Sequence, residues 1–360
     1  MPIDAPARLD ELGWNLALQG EFDALDPAAE LEVGRVVADH GVRFLVATSS
    51  AVVPVPLQPA LRRGGREVAV GDWVTLRPPD GAISAVLPRR TAISRRTPDP
   101  ATREQVLAAN VDLILIATAV DGDFNIRRLE RMLTVAYQSG ADPVIVLTKA
   151  DLGDAAARRA EVEAIAPGVP VVAVSAYQRS GLDELRAHLE PGRTAVLLGQ
   201  SGVGKSTLVN LLTGRERQRT RTVHQGTGQG RHTTSHRELM PLPGGGCVID
   251  TPGLREVQLW DGEAGDGLGA LDDAFTDIEE LARRCRFSDC AHQGEPGCAI
   301  AAALEAGELA PERWNSYLKL QQELRSISAR IDARARGEER RRWRALRRDA
   351  ADQEAAKRYR

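Results

Sequence analysis

The stretch from Gly199 to Ser206, which reads GQSGVGKS, has the composition and spacing of a phosphate-binding loop. It fits the pattern G-x-x-x-x-G-K-[ST], in which glycines let backbone N–H groups turn towards phosphate oxygens. Lys205 is long enough to reach the β- and γ-phosphates, and the Ser206 hydroxyl is a suitable Mg²⁺ ligand. We therefore predict that a nucleotide binds through Gly199, Gln200, Ser201, Gly202, Val203, Gly204, Lys205, Ser206 and Thr207.

Two short motifs at the ends of apolar segments carry groups that can select a base. The tetrapeptide TKAD, which ends at Asp151, resembles the N/T-K-x-D guanine motif of GTPases. A carboxylate can accept from both the N1–H and the amino group of guanine, whereas adenine lacks this pair of donors. Lys149 would cover the ring, and the backbone N–H groups of Ser175 and Ala176 would bind the guanine oxygen. Because Thr148 replaces the commoner asparagine, we expect a weaker link to the phosphate loop.

Two further segments could hold the Mg²⁺ ion that accompanies the nucleotide. The polar, glycine-rich segment 214–236 lies where GTPases have their first switch, whose threonine binds Mg²⁺. Thr233 is the first candidate for this ligand, and Thr234 is the second. The tetrapeptide DTPG, which starts at Asp250, matches D-x-x-G. Asp250 would hold Mg²⁺ through water, and the N–H of Gly253 would contact the γ-phosphate.

The group that activates the attacking water must differ from that of Ras-type enzymes. Those enzymes place a glutamine directly after D-x-x-G, but this chain has Leu254 there. His232, next to the predicted switch threonine, is the nearest side chain that can orient or deprotonate water. We predict that His232 is catalytic, together with Lys205 and Thr233. The alternative, that His232 contacts only a partner or its own loop, stays open.

Three of the four cysteines lie close to a histidine, in the arrangement Cys285-x₄-Cys290-x-His292-x₅-Cys298. Three thiolates and one imidazole make a closed tetrahedral set for zinc, and a closed set is structural rather than catalytic. The spacing differs from that of the common zinc fingers. Cys247 stands apart in an apolar segment, and we predict that it is buried in the core.

The segments around these motifs indicate a multidomain protein. Residues 1–30 contain few structural signals and are predicted to be an N-terminal extension. Residues 31–98 are predicted to form an oligonucleotide-binding (OB) type β-barrel of five strands. They contain ten arginines and five acidic residues, so the barrel is either an RNA-backbone surface or a spacer. Its predicted strands are 33–37, 43–47, 68–70, 73–76 and 82–87.

The second half of the chain divides into an α/β domain and a mainly helical one. Residues 99–262 alternate strands and helices, which is typical of a parallel sheet. The predicted strands are 111–117, 143–147, 169–174, 195–198 and 247–249, and the helices are 126–139, 155–165 and 182–189. Residues 263–360 hold the zinc set and helices at 275–282 and 314–331. The net charge is −3, yet residues 325–360 contain thirteen basic and six acidic side chains, which indicates an acidic body with a basic arm. The six arginines of residues 338–348 predict either a solvated helix or an RNA contact.

The order of the motifs is unusual, because the base motifs precede the phosphate loop. Circular permutation is tolerated where chain termini lie close together. The barrel, TKAD, SA, GQSGVGKSTL, GRHTTS, DTPG and the cysteine–histidine cluster together resemble the RsgA (YjeQ) family of circularly permuted GTPases. The resemblance covers about residues 31–325. It implies a permuted P-loop GTPase domain between the barrel and a zinc-binding helical domain.

The same resemblance implies a function. The chain would hydrolyse GTP in late maturation of the small ribosomal subunit, bind rRNA in a nucleotide-dependent way, and be stimulated by the subunit. The alternative is a nucleotide-gated RNA-binding or chaperone module with incidental hydrolysis. We expect a cytoplasmic monomer that does not enter a membrane. The longest mainly apolar run, Leu113–Val120, is too short to span one, and the first residues lack the features of a signal peptide.

Overall fold

The structure, a computed structural model, describes residues 8–25, 30–41, 43–56, 67–77, 81–96, 104–122, 124–214, 237–251, 267–329 and 336. The strands there are β1 (Glu32–Asp39), β2 (Arg43–Thr48), β3 (Val52–Pro56), β4 (Trp73–Arg77), β5 (Ala82–Val86), β6 (Ala92–Arg96), β7 (Glu104–Ala109), β8 (Leu113–Ala119), β9 (Asp142–Thr148), β10 (Val171–Val174), β11 (Thr194–Leu198), β12 (Arg237–Pro241) and β13 (Cys247–Asp250). The helices are α1 (Leu16–Asp23), α2 (Ile126–Ser139), α3 (Ala155–Ile165), α4 (Leu182–Ala187), α5 (Lys205–Thr213), α6 (Gly267–Ala274), α7 (Thr276–Ala282), α8 (Ala299–Ala306) and α9 (311–329).

Eleven of these strands form one mixed sheet in the order β10-β9-β8-β11-β13-β12-β1-β2-β3, with β4 paired to β1 and β5 paired to β4. The strands β10, β9, β8, β11 and β13 run parallel to one another. β8 and β11 are buried along their whole length. Parallel strands covered by helices on both faces have this continuous apolar character. The five predicted α/β strands are therefore confirmed, with ends shifted by at most two residues.

The helices predicted between these strands are also present, and polar caps explain where two of them begin. Asn125 Oδ1 accepts from the N–H of Arg128 at the start of α2, at 3.0 Å. Asp154 Oδ1 accepts from the N–H of Ala157 at the start of α3, also at 3.0 Å. Such caps satisfy backbone donors that have no partner within the helix. α2 and α3 keep their predicted limits, and α4 ends two residues earlier than predicted.

The N-terminal strands β1 to β5 are antiparallel, in the order β3-β2-β1-β4-β5. β3 was not predicted, and it contains two prolines, Pro54 and Pro56. Proline is nevertheless tolerated on an edge strand, and β3 lies at the end of the sheet order. The strand predicted at 68–70 was wrong. Those residues are a buried loop, in which the N–H of Ala69 bonds to Asp72 Oδ2 at 2.7 Å.

The N-terminal strands and the parallel sheet are continuous. β1 pairs with β12 through Ala38 and Glu238 and through Asp39 and Arg237. β6 and β7 form a separate antiparallel pair, and they flank the predicted domain boundary near residue 98. The division into domains stays a prediction. No helix within the described ranges is both long and apolar enough to cross a membrane.

Arg35 of β1 holds together four separate parts of the chain. Its side chain donates to Thr194 Oγ1 at 2.8 Å, to the carbonyls of Asn110 and Gly71 at 2.9 and 3.2 Å, and to the carbonyl of Leu12. It is almost fully buried, and this burial lowers the pKa of the Arg35 guanidinium. Arg35 is one of the ten arginines counted for the predicted barrel. The count therefore overstates the charge that this region presents to solvent.

Candidate nucleotide and metal sites

The phosphate loop lies between β11 and α5, at the carboxyl edge of the parallel strands. Gly199 has φ of +151°, and a Cβ atom there would lie 2.4 Å from the carbonyl oxygen of Ala117 in β8. No other residue fits this place without moving the strand. Lys205, the first residue of α5, donates from Nζ to the carbonyl of Gly199 at 2.5 Å and to that of Gln200. The predicted loop residues are thus brought together in one strand–loop–helix unit.

Thr148, at the end of β9, connects the base motif to the phosphate loop. Its hydroxyl donates to the carbonyl of Val203 at 2.6 Å, and the carbonyl of Thr118 lies 3.2 Å from the same oxygen. Thr148 is buried. The link that we expected to be weak is therefore a short, buried hydrogen bond. It sets the position of the base motif relative to the phosphate loop.

The other residues of the base motif are held by specific partners. Lys149 has a left-handed backbone, with φ of +55°, and its Nζ lies 2.8 Å from Asp121 Oδ2. Asp151 lies in the 3₁₀ turn Ala150–Leu152, and its Oδ1 accepts from Ser175 Oγ at 2.5 Å. Ser175 Oγ in turn accepts from the N–H of Gln178 at 3.0 Å. The Ser175 side chain therefore orients the carboxylate.

Two of these contacts were missed from the sequence. Ser175 was predicted to act through its backbone alone, but its hydroxyl also binds Asp151. Asp121 was not singled out. It lies two residues after the end of β8, and an acidic residue near a strand end was the available signal. Ala176 follows Ser175 in the same turn, which is closed by backbone bonds between Ser175 and Ser180 of 3.1 and 3.2 Å.

The predicted magnesium ligands are described in part. Ser206 lies in the first turn of α5, and Asp250 is the last residue of β13. β13 runs parallel to β11, with Ile249 opposite Val196, so Asp250 lies at the same edge of the sheet as the phosphate loop. A hydroxyl and a carboxylate suit Mg²⁺, which prefers oxygen ligands. His232, Thr233, Thr234 and Gly253 lie outside the described residues, and their roles stay predictions.

The cysteine–histidine cluster has the dimensions of a zinc site. The ligand atoms of Cys285, Cys290, His292 and Cys298 all lie within 4.8 Å of one another. His292 Nδ1 is 3.6 Å from Cys285 Sγ and 3.5 Å from Cys298 Sγ. Tetrahedral zinc, with bonds of about 2.3 Å to sulfur and about 2.0–2.1 Å to nitrogen, requires about 3.6 Å between these atoms. The four residues therefore fit one zinc ion.

Backbone N–H groups at the start of α8 donate to two of the three sulfur atoms of the cluster, those of Cys285 and Cys298. Cys298 caps α8, and its Sγ accepts from the N–H of Ala301 at 3.4 Å. Cys285 Sγ accepts from the N–H of Ala299 at 3.3 Å. Burial opposes ionisation of Cys285, but hydrogen bonds from backbone N–H groups at the start of α8 lower the pKa of this thiol. Zinc binds thiolates, so such donors favour the ligand form.

Cys247 behaves as predicted for a core residue. It is 1% exposed in β13, and burial raises the pKa of its thiol to about 11. A thiol with so high a pKa stays protonated at neutral pH and is a poor nucleophile. The one cysteine outside the cluster is therefore a packing residue.

Comparison with known proteins assigns the family. The family model described as RsgA GTPase matches residues 86–260. The small ribosomal subunit biogenesis GTPase RsgA of Opitutus terrae is 50% identical over 291 residues, which are 77% of this chain and 78% of that protein. The protein of the same name from Streptomyces avermitilis is 44% identical over 343 residues, 92% and 90% of the two chains. The chain belongs to the RsgA GTPase family.

Solved structures agree with this assignment. The crystal structure of YjeQ from Thermotoga maritima has a TM-score of 0.61 and 29% identity, and the match covers 82% of this chain and 98% of that one. YloQ, described as a circularly permuted GTPase, is alike in fold, with a TM-score of 0.59, 24% identity, and 85% and 99% of the two chains covered. The predicted family and its permuted GTPase fold are thereby confirmed.

Proposed function

We propose that this chain binds GTP and Mg²⁺, hydrolyses GTP, and acts in maturation of the small ribosomal subunit. The observation that carries the proposal is the pair of contacts around the base motif. Ser175 orients the carboxylate of Asp151. In the same motif, Thr148 donates a hydrogen bond to the carbonyl of Val203 in the phosphate loop. A base-selecting carboxylate is thus fixed relative to a phosphate cradle. The curated relatives are named small ribosomal subunit biogenesis GTPases, which supports the same function here.

The roles of individual residues follow from the site. The backbone of the phosphate loop would cradle the phosphates, Lys205 would neutralise them, and Ser206 would hold Mg²⁺ with Asp250. Mg²⁺ would neutralise charge on the phosphates. Thr233 or Thr234 and Gly253 would complete the site, and His232 would orient the water.

The outer parts of the chain would contact the ribosome. We assign β1 to β5 to an OB-type barrel that contacts rRNA. The zinc-binding helical part and the basic tail would form a second contact with the ribosome. One structural zinc at Cys285, Cys290, His292 and Cys298 would hold α8 against the preceding turn. The protein would act as a monomer in the cytoplasm.

The test is GTP turnover with and without purified small subunits, with ATP as the competing nucleotide. Strong stimulation of GTP turnover by the subunits, and little turnover of ATP, would support the proposal. Equal turnover of ATP and GTP would contradict the assignment of Asp151. Binding without stimulation would favour a nucleotide-gated RNA-binding module in which hydrolysis is incidental.

A further inference from the structure

Helix α2 contacts both the phosphate loop and the C-terminal helices. Near its N-terminus, Arg128 Nη1 donates to Gln200 Oε1 at 2.5 Å. One turn further along, Arg131 makes two hydrogen bonds of 2.7 and 2.6 Å to the carboxylate of Glu323 in α9. Residues three apart lie on one side of a helix. A single side of α2 therefore connects the nucleotide site to α9.

A buried cluster next to these contacts also fixes α2 against the C-terminal helices. Glu130 is 1% exposed and accepts from Arg313 Nη1 at 2.8 Å and from Ser316 Oγ at 2.5 Å. Arg313 also makes two 2.6 Å bonds to Asp277 in α7 and lies 4.6 Å from the ring centre of Phe275. Breaking one partner of such a cluster leaves an unpaired buried charge. The register of α2 on α9 is therefore tightly specified.

Gln200 is the point at which α2 reaches the nucleotide site. Its carbonyl accepts from Lys205 Nζ, and its side chain accepts from Arg128. Gly199 before it is held close to β8, where a Cβ atom would not fit. A small displacement of α2 would therefore move Gln200 relative to the ammonium group of Lys205.

We propose that Arg128 is a positioning residue of the phosphate loop, and that α9 acts on nucleotide binding by setting the position of α2. The proposal rests on the proposed function in one respect, that the loop binds GTP. Arg128 would act on the nucleotide through Gln200 and not by binding it directly. Arg128 and Arg131 lie one turn apart near the start of the 14-residue helix α2, so one rigid turn of helix connects their two partners. An effect of α9 on nucleotide binding therefore does not require a hinge motion between two domains.

The test is a double-mutant cycle on nucleotide affinity in the full chain. Arg128→Ala is expected to weaken GDP and GTP binding about tenfold, in the range for loss of a charge-assisted hydrogen bond. Arg128→Lys keeps a cationic donor and should recover part of this loss. Glu323→Gln, which breaks the half-exposed pair with Arg131, should weaken binding about threefold. Asp183→Asn breaks an exposed helix pair with Arg186 and should leave affinity unchanged.

The decisive comparison is Glu323→Gln in the Arg128→Ala background. If α9 acts through Arg128, the second substitution adds no further loss of affinity. Independent effects would add instead. The melting temperature without nucleotide serves as the structural readout, and Glu323→Gln should lower it equally in both backgrounds. A contribution of Glu323 to stability alone would thus move the melting temperature and not the affinity.

Coupling of this kind must also act in reverse. Bound GTP should slow hydrogen exchange of backbone amides in α9 of the wild-type chain, and this protection should disappear in Arg128→Ala at saturating GTP. Additive losses of affinity, or equal protection of α9 in both proteins, would overturn the proposal. A wild-type chain that binds guanine and adenine nucleotides equally would overturn the proposed function instead, so the two failures are distinguishable.

Discussion

Replacement of Thr148 by valine tests the link between the base motif and the phosphate loop. The substitution keeps the shape of the side chain and removes the hydroxyl that donates to the carbonyl of Val203 at 2.6 Å. Because Thr148 is 5% exposed, water cannot easily replace this donor. Loss of a buried hydrogen bond with its partner left unpaired costs about 1–3 kcal/mol. We expect the free energy of unfolding in urea to fall by this amount.

The same change should also weaken nucleotide binding. The hydrogen bond holds Val203, and with it the loop, in place before the nucleotide arrives, so part of its energy contributes to affinity. If about half of this energy, about 1 kcal/mol, contributes to binding, the dissociation constant for GTP rises about fivefold. Isothermal titration with GDP and a non-hydrolysable GTP analogue measures this directly.

Thr75→Val is the matched control for this experiment. Thr75 is buried in β4, and its hydroxyl lies 2.7 Å from Ser84 Oγ, away from the nucleotide site. This variant should lose a similar amount of stability and keep the wild-type affinity. If Thr148→Val lost stability but bound GTP as tightly as Thr75→Val, the link would have a structural role alone and the reasoning would be refuted.

Four further predictions concern the base, the metal, the pH and the water. Asp151→Asn should weaken GTP binding and favour xanthine nucleotides in a competition assay, because the exchanged donor and acceptor match xanthine. Cys290→Ser should abolish the stoichiometric zinc found by metal analysis and leave guanine binding intact. Burial and the neighbouring Glu279 raise the pKa of Asp272 to about 6. The folded chain then holds a proton between about pH 4 and 6 that the unfolded chain has lost, so stability from this group falls as pH rises. Asp272→Asn should therefore raise the melting temperature at pH 7.5 and change it little at pH 4. His232→Ala should lower kcat about ten- to a hundredfold without changing GTP affinity, and unchanged subunit-stimulated turnover would exclude a catalytic role.

The parallel sheet could be predicted because its signals are local and strong. The strands are continuous apolar runs, and the helices between them have apolar residues at helical spacing and polar caps. The prolines of β3 and the buried loop at 68–70 gave misleading local signals. In both places the position in the sheet, at an edge or beneath a neighbouring segment, decided the structure. Such placement depends on contacts between distant parts of the chain.

The candidate site was predictable in its motifs but not in the contacts that hold them. The phosphate loop and TKAD are continuous stretches whose spacing carries the chemistry. The partners of Thr148 and Asp151 are 55 and 24 residues away in the chain. The contacts of α2 with Arg313 and Glu323 span more than 180 residues. A single sequence holds no signal that pairs such distant residues.

The sheet order gives the nucleotide site a direct connection to the N-terminal strands. β13, which ends at Asp250, lies between β11 and β12, and β12 pairs with β1 through Ala38 and Asp39. The strand that carries the D-x-x-G motif is therefore one strand away from β12 and two from β1. A shift of β13 on binding the γ-phosphate would be transmitted to β12 and β1 through the hydrogen bonds between neighbouring strands. Arg35 strengthens this connection, because it joins β1 to Thr194 at the start of the phosphate-loop strand. Movement of the N-terminal strands relative to the nucleotide site would therefore have to change both this buried contact and the short β1–β12 pairing, which involves two residues from each strand.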